Sequence, residues 1–338
     1  MLPMKEIWKT YEENMPKEIV AYLSLPTFQR LDDVSMHCGL EYTSFPFFSR
    51  LAHYSRYEHS VGVALICYHF THDLHTSIAG LLHDISTPCF AHVIDFSNGD
   101  SLKQESTEKE TEPFIYAHDD LLDVIFSQDM VVVDVGDYHL YPIADNDSPR
   151  LSADRLEYTL SNAVNFGFAT LEEVSELYND LSVVKAEDGF PELAFSSLEK
   201  ASRFAKLALD CGKVYSSDED RYAMQALSAL LKSAIKEGVI TKDDLYKSET
   251  ALLLKLTKSD KYAKAWRNYR RLGKVYKTTE KINASSFKIN AKRRYIDPLV
   301  IGKGRVSALN EELRKEGISF LSQSYDYWLT GGPLEERK

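Results

Sequence analysis

The chain has 338 residues and a mass of 38.5 kDa, enough for one large domain or two small ones. With 44% apolar residues, 27% charged residues and a mean hydropathy of −0.31, it reads as a water-soluble globular protein. That composition excludes collagen-like, coiled-coil and low-complexity classes, and a net charge of −11 argues against wholesale coating of nucleic acid. The first ten residues carry no apolar run of the signal-peptide kind, and no segment reaches the ~20 apolar residues of a membrane span. Cys38, Cys67, Cys89 and Cys211 lack the C-x-x-C spacing of a redox or zinc motif, so a reduced, cytoplasmic setting is expected.

In chain order, Ser60 to Phe70 (SVGVALICYHF) is an apolar run suited to a buried helix. Ser97 to Glu112 is polar and reads as a loop or a frayed helix start. Asp129 to Leu140 (DMVVVDVGDYHL) is the best strand candidate, with a β-branched run and a turn at Gly136. Thr170 opens a helical stretch with Leu171, Val174, Leu177 and Tyr178 on one face. Further helical periods cover 200–210, 222–237 and 252–272, and Ser285 to Arg294 reads as extended. These elements predict a mainly α protein. A helical body occupies 1–235, and a smaller α+β region occupies 236–338.

Charge is unevenly placed. From Lys261 to Arg305 there are 14 Lys or Arg against 2 acids, a local balance of +12, while the rest of the chain carries −23. Tyr262, Trp266, Tyr269, Tyr276, Phe287 and Tyr295 are interleaved with these cations. The segment reads either as a polyanion contact, for nucleic acid or a regulatory nucleotide, or as a solvated face answering acidic surface elsewhere.

The chemistry-bearing text lies elsewhere. RYEHSVGV places His59 at the start of the apolar helix, AGLLHDI ends with His83 and Asp84, and SADRLEY carries Asp154. Neighbours on a helix point ~100° apart, yet at a helix end beside a cavity His83 and Asp84 can both reach one ion. Two imidazoles and two carboxylates leave coordination positions open on a divalent ion such as Mn, Fe, Ni or Zn, where water is acidified and a phosphoryl oxygen polarised. His69, His72 and His75, at i, i+3 and i+6, read as a solvated helix end.

In order, spacing and flanking residues, this text resembles the HD superfamily of metal-dependent phosphohydrolases. Over about 20–165 it is most similar to the dGTPase-like branch, which includes SAM-and-HD-domain dNTP triphosphohydrolases, with Leu25 to Leu31 (LPTFQRL) matching the family's opening text. The resemblance implies a helical HD core and a single divalent ion held by His59, His83, Asp84 and Asp154. It gives Arg56 and His92 to the substrate phosphate, and Tyr158 to the sugar. It also implies oligomeric assembly.

The departures fall on the catalytic text. The family's HDxGHxPFSH places Thr87 where its first downstream histidine stands, and its HE motif becomes Thr107 and Glu108. The sugar-pocket glutamine and aspartate become His37 and Asn162. A general acid–base group contributes ~10²–10⁴-fold to rate, so its loss weakens the expectation of family-type triphosphohydrolase activity without abolishing metal-assisted hydrolysis, and Glu108, His92 and His118 are the candidate substitutes. The expected function is hydrolysis of a nucleotide phosphoester or phosphoanhydride through a metal-bound hydroxide. The alternatives are a degenerate metal- and nucleotide-binding sensor and a nucleic-acid-binding protein.

Overall fold

The computed structural model describes residues 4–98 and 110–334. Helices carry most of the regular structure and two small sheets complete it, so the protein is mainly α with a smaller α+β part.

The central helix, Arg56–Thr71, starts where Ser55 Oγ accepts from the backbone N–H of Glu58 and Glu58 Oε2 accepts from that of Ser55, a reciprocal capping box. Every residue from Arg56 to Cys67 is buried, as befits a helix that is apolar nearly all round. His72, in the left-handed conformation at φ +49°, ends it. Asp73 then caps Leu74–Leu82 by accepting from Thr76 N at 2.8 Å. That helix folds back so closely that a Cβ on Gly80 would sit 3.1 Å from Val63 and 3.2 Å from Cys67.

Helix Ala153–Asn165, capped by Ser152, packs on the central helix, and helix Leu198–Tyr215, capped by Ser197, packs on Ala153–Asn165 in turn. Val61, Leu65, Leu81, Leu156, Leu160, Phe204 and Leu207 form the heart of this first core. A second core surrounds helix Asp218–Lys236. It takes Leu40, Phe45, Phe90 and Val93 from the early chain and Tyr262, Trp266 and Tyr269 from helix Asp260–Arg270. Ile296, Val300 and Val306 return to the first core. The two cores therefore draw on both sides of position 235.

The strands are β1 (Leu181–Lys185), β2 (Pro191–Phe195), β3 (Leu272–Thr278), β4 (Ser286–Phe287), β5 (Leu299–Val300), β6 (Gly304–Arg305) and β7 (Trp328–Pro333). One sheet runs β1-β2-β5-β6, with Leu181 opposite Phe195 in the antiparallel hairpin and Phe195 opposite Val300 in the parallel pair. The other runs β3-β7-β4, with Tyr276 and Ser286 both opposite Thr330 on β7.

Several expectations need correction. The β-branched run at 129–140 forms no strand. It is a short helix, Val132–Val135, followed by a 3-10 turn, Tyr138–Leu140. Val132 and Val135, three residues apart, are buried while Val131 and Val133 face solvent, so the tertiary contact selects a helical turn over the residues' strand preference. The 252–272 period splits into Glu249–Leu256 and Asp260–Arg270, and Leu272 already belongs to β3. Of 285–294 only Ser286–Phe287 pairs as strand. Conversely, the β1–β2 hairpin lies inside the expected helical body. Four consecutive buried residues in PELAF hide the alternation that marks a half-exposed strand.

Among the described residues, no helix is long and apolar enough to cross a membrane. All four cysteines are buried free thiols.

Candidate metal centre

Three helix ends meet at one point. His59 stands in the first turn of the Arg56–Thr71 helix, His83 and Asp84 follow the end of Leu74–Leu82, and Asp154 opens Ala153–Asn165. Ligand atoms of His59, His83 and Asp154 all lie within 4.8 Å of one another. His59 Nε2 is 3.0 Å from Asp154 Oδ1, and His83 Nε2 is 3.9 Å from the same oxygen. Asp84 Oδ2 stands 3.9 Å from His59 Nε2 and 3.4 Å from His83 Nε2. The four residues singled out as ligands therefore converge. His83 and Asp84 share the site because the helix has ended, which frees Asp84 to turn back.

The donor chemistry suits a divalent cation. His59 presents Nε2 because its Nδ1 is bound to Glu157 Oε2 at 2.5 Å, and His83 presents Nε2 because its Nδ1 donates to Gly80 O at 2.7 Å. Such partners on the far ring nitrogen fix the tautomer and the ring plane. Glu157 is buried and also accepts from Tyr54 OH and, at 2.6 Å, from Ser161 Oγ. Gly62 makes room for it, since a Cβ there would fall 2.7 Å from Glu157 Cγ. Burial lowers the basicity of His59, but the Glu157 and Asp154 carboxylates outweigh it and raise its pKa to about 10. In Asp84 and Asp154 burial opposes ionisation, yet Arg56 for the first and His59 for the second hold both carboxyls well below the usual range. Metal ligands must be deprotonated, so a cation in the cup would compete with the proton that His59 Nε2 shares with Asp154.

Both oxygens of Asp84 are held from outside the cup. Arg56 Nη1 donates to Oδ2 at 2.6 Å, and Thr87 Oγ1 donates to Oδ1 at 2.7 Å. Thr87, where the resembled text has a histidine, thus orients a candidate ligand. Arg30, in the LPTFQRL text, clamps the loop beneath by donating to Thr87 O at 2.8 Å and Ile85 O at 2.7 Å. Arg56 is buried, and its Nε has no hydrogen-bond partner among the described residues. Exposure rises from 1% at His59 through 6% at His83 and 12% at Asp84 to 21% at Asp154, so the cup opens on its Asp154 side.

The other expected site residues are distributed around this centre. His92 follows Phe90 and Ala91, whose φ angles of +62° and +45° make a tight turn held by Phe90 N donating to Glu249 Oε1. Its Nε2 faces Arg294 Nη2 at 3.2 Å, and since guanidinium only donates, that nitrogen is the acceptor. Tyr158 lies one turn beyond Asp154, between Arg294 and Tyr215. His37 and Asn162 are buried and bound to each other at 3.2 Å, and Asn162 also donates to Tyr215 OH at 2.8 Å. They sit behind the cup, linked to His59 through Tyr54 and Glu157. His118 donates to Phe114 O and stacks on the Phe114 ring, which Arg30 covers on its way to the 85–87 loop. Glu108 lies outside the described residues. His69 and His72 are exposed, and His75 pairs with Asp73, in keeping with a solvated helix end.

Glu157, Tyr54 and Gly62 escaped the sequence reading. Glu157 carried a signal, being i+3 from Asp154 on one helical face; nothing local marked Tyr54 or Gly62.

Residues 56–144 match the HD domain family model, a span that takes in His59, His83 and Asp84 and stops before Asp154. The chain is 27% identical over 202 residues to the uncharacterised protein YdhJ of Bacillus subtilis, covering 59% of this chain and 60% of that one. It is 29% identical over 224 residues to the metal-dependent phosphohydrolase cns2 of Cordyceps militaris, covering 64% and 60% respectively. The matches thus span about 60% of each curated relative. The crystal structure of a phosphohydrolase from Bacteroides thetaiotaomicron aligns with a TM-score of 0.61 over 95% of this chain and 96% of that one, at 15% identity, which shows a shared fold.

Proposed function

We propose that the chain is a divalent-metal-dependent phosphohydrolase acting on a phosphorylated small molecule, with nucleotides the first class to test. The observation that carries this reading is the convergence of His59, His83 and Asp154 ligand atoms within 4.8 Å, with Asp84 beside both imidazoles. The match of residues 56–144 to the HD domain and the likeness to a protein named as a metal-dependent phosphohydrolase support it.

A divalent ion, once bound, supplies Lewis-acid polarisation of a phosphoryl oxygen and acidification of water. His59 and His83 would hold it through Nε2, and Asp84 and Asp154 through carboxylate oxygens. The mixed nitrogen and oxygen set fits Mn, Fe, Ni or Zn. Arg56 already neutralises Asp84 through Nη1, and its guanidinium, fixed beside the cup, is the group we assign to a phosphoryl oxygen. His92, whose Nε2 accepts from Arg294, is the further group we assign to the side of the substrate's phosphate. His37 and Asn162 spend their polar groups on each other and on Tyr215, so strong selection for a deoxyribose is not expected from them.

Elemental analysis and phosphate release from a nucleotide panel, run on one preparation, test the reading. A stoichiometric divalent metal, turnover abolished by chelation, and the same loss in Asp84→Ala are expected. Turnover that survives chelation and Asp84→Ala rules the proposal out. Tight nucleotide binding without product would instead identify a sensor.

A further inference from the structure

We infer that Glu249, brought in by the second core, is a positioning residue for the candidate metal centre, because one oxygen of its side chain joins the two stretches of chain that carry candidate ligands. The inference rests on the phosphohydrolase reading above and deepens it.

The first stretch is the start of helix Arg56–Thr71, with Arg56 and His59. Residues 32–36 run alongside and fix it. Ser35 and Ser55 form an antiparallel bridge, Arg56 N donates to Val34 O at 2.8 Å, and Met36 N donates to Tyr54 O at 2.9 Å. Tyr54 in turn donates to the Glu157 carboxylate that braces His59. The second stretch is the loop after His83 and Asp84. There the Thr87 hydroxyl holds the Asp84 side chain, and Thr87 N donates to Asp84 O at 2.9 Å.

Glu249 Oε1 accepts from Ser35 N and from Phe90 N, both at 3.1 Å, so a single oxygen links the two stretches. Its Oε2 accepts from Tyr42 OH at 3.0 Å. The anchor behind this carboxyl is firm. Ser248 caps helix Glu249–Leu256, Thr250 N donates to Asp33 Oδ2 at 2.8 Å, and Cys89 N donates to Leu245 O at 2.7 Å. Glu249 is only 1% exposed, and both N–H groups depend on it for an acceptor. Phe90 sits in the left-handed region at φ +62°, a conformation that a bulky residue keeps only when its surroundings impose it. Without Glu249 that turn relaxes, and with it the loop that aims Asp84.

Burial holds the Glu249 carboxyl well above the usual range, with the Glu41 carboxylate adding to the effect against the pull of the two N–H groups. A neutral carboxyl still accepts both bonds through Oε1. An amide has the same acceptor and shape, and its NH2 can donate to Tyr42, whose hydroxyl oxygen accepts.

The test is a competition titration of Mn²⁺ against a chelating dye on the full chain, well below each variant's melting temperature, with thermal melting run on the same samples. Glu249→Ala is expected to weaken Mn²⁺ binding by about tenfold, the low end for a group that orients ligands from outside. Glu249→Gln, which keeps the acceptor, is expected to bind Mn²⁺ as the wild type does. Leu231→Ala opens a cavity in the same second core while leaving the three bonds of Glu249 in place. It is expected to melt earlier with wild-type Mn²⁺ affinity. Should Glu249→Ala fail to fold, Glu249→Asp, one methylene too short to reach both N–H groups, is expected to weaken Mn²⁺ in the same direction. Wild-type affinity in a folded Glu249→Ala or Glu249→Asp protein, or the same loss in Glu249→Gln or Leu231→Ala, overturns the inference and leaves the phosphohydrolase reading standing. A wild-type protein that takes up no Mn²⁺ overturns both.

Discussion

In the His59 cup, the candidate ligands, the arginine that holds Asp84 and the glutamate behind His59 come from three helix ends and point at one small volume. Along Lys261–Arg305 the side chains do the reverse. Lys261 pairs with Glu237, Lys277 with Asp218, Lys288 with Asp326 and Arg305 with Glu187 and Glu192, each cation answering acids elsewhere in the fold. Tyr262, Trp266 and Tyr269, read as possible base-stacking platforms, are buried in the second core, with Trp266 and Tyr269 stacked on each other at 5.3 Å. A local balance of +12 marks the segment in the sequence, but a charge sum carries no direction. What separates a site from a surface is whether unlike elements aim their polar atoms at the same place.

Substitutions on the two sides should therefore behave differently. The largest effect is expected just behind the cup. Glu157→Gln puts an amide where three donors converge, and metal affinity should fall ~10–100-fold in competition titrations while the helices stay folded. Gly62→Ala should give a loss in the same direction, because the new methyl falls 2.7 Å from Glu157 Cγ and shifts it away from His59. Undiminished metal affinity in both variants would detach Glu157 from the site.

In the basic segment the readout is stability. Arg305 donates to both oxygens of Glu192, which is only 1% exposed, so Arg305→Ala leaves a buried carboxylate with a single backbone partner. Discounted for the partial exposure of Arg305, a loss of about 2–4 kcal/mol in urea denaturation is expected, with metal content unchanged.

His37 gives a smaller, pH-dependent effect. Burial pushes its pKa down to about 4, only partly offset by the hydrogen bond to Asn162. The folded value lies below the unfolded ~6.5, so the unfolded state binds more protons between the two. The stabilising contribution is full above pH 6.5 and is lost as pH falls toward 4, by up to about 3 kcal/mol. His37→Gln removes the titration, and the difference between the wild-type and variant stability curves should change across that window and be flat above it. At the small end, Lys261→Ala breaks an exposed pair and should leave melting and metal content unchanged. A clear loss there would blur the contrast between the two regions.

The sequence was most legible where local rules suffice. The caps at Ser55, Asp73, Ser152 and Thr170 stand where serine, aspartate or threonine precedes a helical run, and the four ligand candidates sit in text whose flanking residues mark helix starts and ends. The valine run at 131–133 misled because β-branched residues favour strands only when a neighbouring strand is there to receive them. The hairpin at 181–195 went unseen because both faces of β2 are covered, which erases alternation.

By itself the sequence determined which residue types could bind an ion, the helices that carry them and the mainly α class, since capping and hydrophobic periodicity act over a few residues. Only the tertiary structure decided that Glu157 braces His59, that Thr87 orients Asp84, that His37 and Asn162 satisfy each other, and that Arg294 returns to His92 from 202 residues away. Those are contacts between distant segments, and their geometry follows from how helices pack, down to the missing side chain of Gly62.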